Sequence, residues 1–121
     1  MQQILIIDDE EQIRAVFKEM LGRSGYMVSE ASNGKEGLML QREKPADLII
    51  TDIIMPEKEG LETIRELRIE FPEVKIIAIS GGGEIGSDQY LNAAKQFGAA
   101  CTLHKPIGLQ ELLQTVQRLL K

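Results

Sequence analysis

Five short runs rich in β-branched and apolar residues recur along the chain, and between them apolar residues return every three or four positions. The runs are Gln3–Ile7, Tyr26–Ala31, Leu48–Asp52, Val74–Ser80 and Ala100–Leu103. The first and third are apolar on both faces, as strands covered on both sides must be, whereas Tyr26–Ala31 alternates and suits a half-exposed strand. The intervening segments carry helical stripes: Ile13, Val16, Phe17, Met20 and Leu21 within Glu11–Ser24, and Leu61, Ile64, Leu67, Arg68 and Phe71 up to Pro72. Tyr90, Leu91, Ala94 and Phe97 mark a helix over Ser87–Phe97, and a last stripe runs from Leu109 through Leu112, Leu113 and Val116 to Leu119 and Leu120. The helix over Lys35–Glu43 is the weakest, with Gly37 inside it. Gly25, Asn33-Gly34, Pro45, Pro72 and Gly98 punctuate the alternation.

Strand and helix alternating five times predict an α/β fold with a single doubly wound parallel sheet, helices on both faces, and one domain over residues 1–121. Right-handed crossovers and apolar central strands favour the order 2-1-3-4-5. That order sets the first and third strands side by side and opens a crevice at their carboxyl ends, where Asp8, Asp9 and Asp52 meet.

Composition narrows the function classes. A net charge of -5 argues against a broad nucleic-acid footprint, so no direct nucleic-acid partner is expected. Cys101 is the only cysteine, which excludes an internal disulfide and a cysteine-based zinc site. No signal peptide or bilayer-length apolar stretch is visible, so the expected location is cytoplasmic, with no membrane partner.

Chemistry gathers where the apolar runs stop. Three carboxylates at neighbouring strand ends would repel by about 3 kcal/mol per pair at ~5 Å and an effective dielectric of about 20. Mg²⁺ offsets this, because it takes hard oxygen ligands, keeps several waters and accepts phosphate oxygens. Asp9 and Asp52 are the expected ligands, with Asp8 beside the metal or reaching it through water. Asp52 can also act as a nucleophile towards phosphorus, with Lys105 bringing a charge to the phosphoryl oxygens and Ser80 a hydroxyl donor.

These residues, taken together, resemble the receiver domain of bacterial two-component response regulators. The likeness runs from Gln3 to Leu120: paired acids Asp8-Asp9 after the first strand, Asp52 leading through Met55-Pro56 to Gly60, Ser80 after the fourth strand, and Lys105-Pro106 after the fifth. The resemblance implies a phosphoacceptor at Asp52, a further metal ligand in the Ile54 carbonyl, and room for a cis Lys105-Pro106 bond. It also implies a histidine kinase or phosphotransfer protein as phosphoryl donor, and a downstream target protein or output domain. The chain would catalyse only its own phosphorylation and dephosphorylation. One position departs: the family usually places Tyr or Phe where Thr102 stands. A readout through Ser80 and the glycine-rich loop 81–86, shifting the fourth helix, is the expectation in its place.

Blander roles and rival functions have specific tests. Alone, Asp8–Glu11 suits a helix N-terminus, Asp52 an N-cap, Ser80 a helix cap and Lys105 a solvated charge, but their common sheet edge favours chemistry. The glycines at 81, 83 and 86 match a dinucleotide fingerprint, yet they follow the fourth strand and lack the ribose-binding acid. His104 and Cys101 read as loop and packing residues. An aspartate-dependent phosphatase would carry a second Asp where Ile54 stands, a flavin carrier would not place acids beside a phosphate, and Thr102 alone favours a phosphate-independent binding module.

Overall fold

The β-branched runs pair into a single sheet because each can bury both faces only between helices. The computed structural model describes residues 1–53, 59–80 and 87–121, the side chains at 59 and 87–91 excepted. The elements are β1 (Gln3–Ile7), α1 (Glu11–Arg23), β2 (Met27–Ala31), α2 (Gly34–Glu43), β3 (Leu48–Asp52), α3 (Glu59–Glu70), β4 (Lys75–Ser80), α4 (Ser87–Phe97), β5 (Cys101–His104) and α5 (Leu109–Leu119). All strand pairs are parallel, in the order β2-β1-β3-β4-β5 anticipated from the sequence.

Alternation along the strands divides the core in two. Ile4, Ile6, Ile50, Ile77 and Ile79 face α1 and α5, meeting Phe17, Leu21, Leu112 and Val116. Leu5, Ile7, Ile49, Ile76 and Ala78 face the other layer, meeting Leu38 of α2, Ile64 and Leu67 of α3 and Ala94 of α4. Each fully buried aliphatic side chain contributes about 1.5–3 kcal/mol. That rigid sheet fixes the strand ends where polar residues begin.

Two glycines permit close approach near those ends. A Cβ on Gly37 would overlap the Ile7 side chain, so the residue that weakens α2 as a helix is what lets α2 lie against the end of β1. A Cβ on Gly60 would overlap the Ile53 backbone, so this glycine lets α3 start against the chain leaving β3. Asn33 caps α2 by accepting from the Glu36 N–H at 2.8 Å.

Several stripe residues prove to lie at the margin of the buried seam. Val16 is 47% exposed, Leu109 41% and Phe97 38%, although periodicity alone points all three inward. Their stripes are wider than the contact with the sheet, and the outer rows stay in water. Thr63 and Thr115 take inner positions instead; Thr115 satisfies its hydroxyl on the Glu111 carbonyl at 2.9 Å. The side chains of Tyr90 and Leu91 lie outside the described residues.

Candidate functional site

The carboxyl edge of the sheet assembles the site from strands far apart in sequence. Register places Ile7 beside Thr51, so Asp8 and Asp52 follow as neighbours. On the far side of β3, Asp52 lies opposite Ile79, and Ser80 lies opposite His104 at the end of β5. Lys105 comes next, its N–H donating to the Ser80 carbonyl at 2.7 Å, before a cis Lys105-Pro106 bond of the kind the sequence permits. Asp8, Asp52 and Ser80 are buried, and Asp9 and Glu10 stand exposed at the rim.

One ammonium serves three carboxylates. Lys105 Nζ lies 2.9 Å from Asp52 Oδ2, 3.2 Å from Glu10 Oε1 and 3.3 Å from Asp8 Oδ2. Burial works against the Lys105 charge but is outweighed by the hydrogen bond and attraction to Asp52, then by Asp8 and Glu10, so its pKa is raised. Lys105 therefore stays charged, and its stabilising contribution is lost only as pH rises beyond its ordinary value of 10.5. The Asp8 pKa is raised too, but from a different cause. Burial, with the Asp52 charge adding, pushes its carboxyl above the ordinary 3.8, against the opposing pull of the Glu10 N–H and Lys105. Among the described residues, the carboxylates at this edge outnumber the cations.

The donor set fits a hard divalent cation. Asp8, Asp9, Glu10 and Asp52 each offer a carboxylate oxygen, all within 4.8 Å of one another. Two of these acids are buried and two reach water, so bound waters and a phosphate oxygen have an open side from which to approach. Burial is the first cause of the raised Asp8 pKa and the Asp52 charge a smaller one, and a cation held between the two carboxylates would oppose both.

Of the residues singled out from the sequence, Asp8, Asp9, Asp52 and Lys105 come together, and Ser80 lies next along the same edge. Ile54, with Met55-Pro56, and the loop 81–86 lie outside the described residues, as does the switching role assigned to that loop. Thr102 is half-buried opposite Ala78. Cys101 packs at the margin of the α1/α5 core, and His104 is an exposed strand-end residue.

Three residues escaped the sequence reading. Glu10, part of the acidic run but given no role in it, reaches both the cluster and Lys105. Arg14 bonds the Asp8 carbonyl at 2.8 Å and Glu30 Oε1 at 3.0 Å, tying the start of α1 to the end of β2. A charged residue beside the apolar stripe of α1 was the one available signal. Glu30 also takes Lys18 at 3.3 Å.

The response regulator receiver domain family matches residues 4–117. Among similar proteins, the sensor kinase CckA of Brucella abortus is 35% identical over 120 residues, covering 98% of this chain and 12% of the kinase. Sporulation initiation phosphotransferase F of Bacillus subtilis is 26% identical over 119 residues, covering 98% of this chain and 94% of the relative. The solved structure of chemotaxis protein CheY4 from Vibrio cholerae superposes with a TM-score of 0.87 at 29% identity, over 98% of both chains. The chain thus spans nearly all of two of these proteins and about an eighth of the kinase.

Proposed function

The chain belongs to the response regulator receiver domain family, and from that premise we propose that Asp52 accepts a phosphoryl group from a phosphohistidine on a partner kinase or phosphotransfer protein. In that step an Asp52 carboxylate oxygen attacks phosphorus, the P–N bond of the phosphohistidine breaks, and its electron pair leaves on the imidazole nitrogen. Hydrolysis of the acyl phosphate by water returns the carboxylate and inorganic phosphate. The altered surface then engages a downstream protein or an output domain. We read residues 1–121 as one such receiver unit.

The observation that carries the reading is the Lys105 ammonium 2.9 Å from a buried Asp52 oxygen, in a pocket whose carboxylates outnumber its cations among the described residues. An ordinary structural ion pair would balance. Here Lys105 steers phosphoryl oxygens towards Asp52, and Ser80 at the end of β4 donates its hydroxyl to one of them. Asp9 and Asp52 would hold Mg²⁺, with Asp8 beside it and the Ile54 carbonyl as the further ligand. When bound, the ion supplies Lewis-acid stabilisation of the transferring group. Relatives named as a sensor kinase and a phosphotransferase support the donor class.

The test is incubation with acetyl phosphate and Mg²⁺, followed by intact mass measurement. A single phosphoryl adduct is expected on the wild type and none on Asp52→Asn. An adduct that survives Asp52→Asn, or none on the wild type with any donor, would overturn the assignment.

A further inference from the structure

We infer that Arg14 is a positioning residue for Mg²⁺: its guanidinium holds the Asp8 carbonyl, fixes the peptide between Asp8 and Asp9, and so keeps the Asp9 carboxylate in the metal site. The inference rests on the proposed reading of the acidic cluster as that site. The Arg14 side chain bonds the Asp8 backbone and Glu30, so its effect on the ion passes through Asp9.

The need for such a group begins where the strand ladder stops. Asp8 is the first residue past β1, and its N–H still donates to the Ala31 carbonyl at the end of β2, at 3.1 Å. One further step of a parallel ladder would bring the Asn33 N–H to the Asp8 carbonyl. Asn33 instead caps α2, and Arg14 Nη1 donates to that carbonyl at 2.8 Å. The Asp8 carboxylate is held as well, accepting from the Glu10 N–H at 2.8 Å and from Lys105 at 3.3 Å. Asp9 has no such ties: it is exposed, and none of the described residues bonds its carboxylate. Yet one of its oxygens lies within 4.8 Å of those of Asp8, Glu10 and Asp52. A planar peptide joins the two aspartates, so fixing the Asp8 carbonyl fixes the direction in which the chain enters Asp9.

Arg14 is itself fixed. It lies in the first turn of α1 with its N–H on the Glu10 carbonyl at 3.2 Å, and its side chain is 14% exposed. Its Nε donates to Glu30 Oε1 at 3.0 Å while Nη1 holds Asp8. A planar guanidinium serves two such acceptors at once, which a lysine ammonium on a flexible stem does less rigidly. Glu30 also offsets the Arg14 charge, so the carbonyl is held without setting an unpaired cation beside a site that must accept another. That charge separates positioning from plain electrostatics. Within a Debye length, replacing a cation by a neutral side chain tightens the binding of Mg²⁺, whereas loss of alignment weakens it.

Mg²⁺ titrations followed by amide NMR shifts at constant ionic strength test this on the wild type, Arg14→Met, Arg14→Lys, Asp9→Asn and the Arg14→Met, Asp9→Asn double variant. Thermal melts in EDTA check that each is folded at the titration temperature. Arg14→Met is expected to bind Mg²⁺ about tenfold more weakly, the low end of what loss of an outer-shell partner does to metal affinity. Arg14→Lys keeps the charge without the fork and should fall between; if Arg14→Met does not fold, weaker binding by Arg14→Lys is the required result. In the Asp9→Asn background Arg14→Met should cost no further affinity, because the carboxylate it positions is gone. Equal or tighter binding by Arg14→Met would overturn the inference and leave Asp52 as phosphoacceptor standing. An equal loss in both backgrounds would also overturn it, since Arg14 would then act on the fold and not through Asp9. A wild type that binds no Mg²⁺ would remove both the role of Arg14 and the metal ligands on which it rests.

Discussion

The two edges of the sheet treat their polar groups in opposite ways. At the amino edge, Gln41 and the Ala46 backbone exchange two hydrogen bonds of 2.9 and 3.2 Å, the Asp47 carboxylate takes the Gln3 N–H at 2.8 Å, and Arg42 meets Glu70 through two contacts of 2.6 and 2.9 Å. Each group has a partner of its own. At the carboxyl edge one ammonium is divided among three carboxylates, and next door Glu30 is gripped by two cations, Arg14 and Lys18. A matched edge holds loops in place; a mismatched edge stores a potential that an incoming cation relieves. The proposed site therefore lies where the described charges are least evenly matched.

The largest test of that contrast removes a matched partner. Gln41 is buried, and Gln41→Ala leaves the Ala46 N–H and carbonyl without their partner, besides opening a small cavity. A loss of about 2–3 kcal/mol is expected in urea unfolding, with the rate of phosphoryl uptake at Asp52 unchanged. Asp8→Asn sharpens the comparison from the other edge, because it should stabilise. Asparagine keeps the oxygen that accepts the Glu10 N–H while removing a buried charge that the fold disfavours. A gain of about 1–2 kcal/mol is expected at neutral pH without metal. The sign follows from linkage: a carboxyl whose folded pKa is raised costs nothing below its ordinary 3.8, and the cost grows as pH rises through the folded value. The advantage of Asp8→Asn should vanish in acid, and saturating Mg²⁺ should stabilise the wild type more than the variant. If Asp8→Asn proved destabilising at neutral pH, the mismatch would not be a source of strain.

How far the sequence reveals each edge follows from the same contrast. Asp8, Asp52, Ser80 and Lys105 are legible because an apolar run that stops at a polar residue marks a strand end, and parallel strands bring all such ends to one edge. Glu10 is not, because its role is set by a contact with Lys105 across 95 positions, which no local pattern records. Gln41 is hidden differently: its partner is five residues away, but the bond exists only once the α2–β3 loop has taken its shape. The wide stripes that carry Val16, Leu109 and Phe97 overstate burial, since periodicity gives the direction of a side chain and not the width of what it packs against. Gly37 was legible as a weak point in α2, yet its reason lies in the Ile7 side chain of another element.

The smallest expected effect lies at Glu30, where the mismatch runs the opposite way. The hydrogen bond from Arg14, at 3.0 Å, pulls the Glu30 carboxyl below its ordinary 4.5; partial burial opposes this, and Lys18, at 3.3 Å, adds to it. A lowered folded pKa gives stability that is present above the ordinary value and lost as pH falls through the folded one. Glu30→Gln should therefore cost about 0.5–1 kcal/mol at neutral pH, and its unfolding midpoint should converge with wild type as pH falls below 4.5. Because Arg14 also holds the Asp8 carbonyl at 2.8 Å, loosening its other anchor gives the end of β1 slightly more freedom. Wild type minus Glu30→Gln and Asp8→Asn minus wild type should thus both grow from acid to neutral pH, one because the fold favours a charge and the other because it resists one. If the two variants shifted in the same direction, neighbouring carboxylates at this edge would share one environment, and the division between a compensated acid and a working one would be lost.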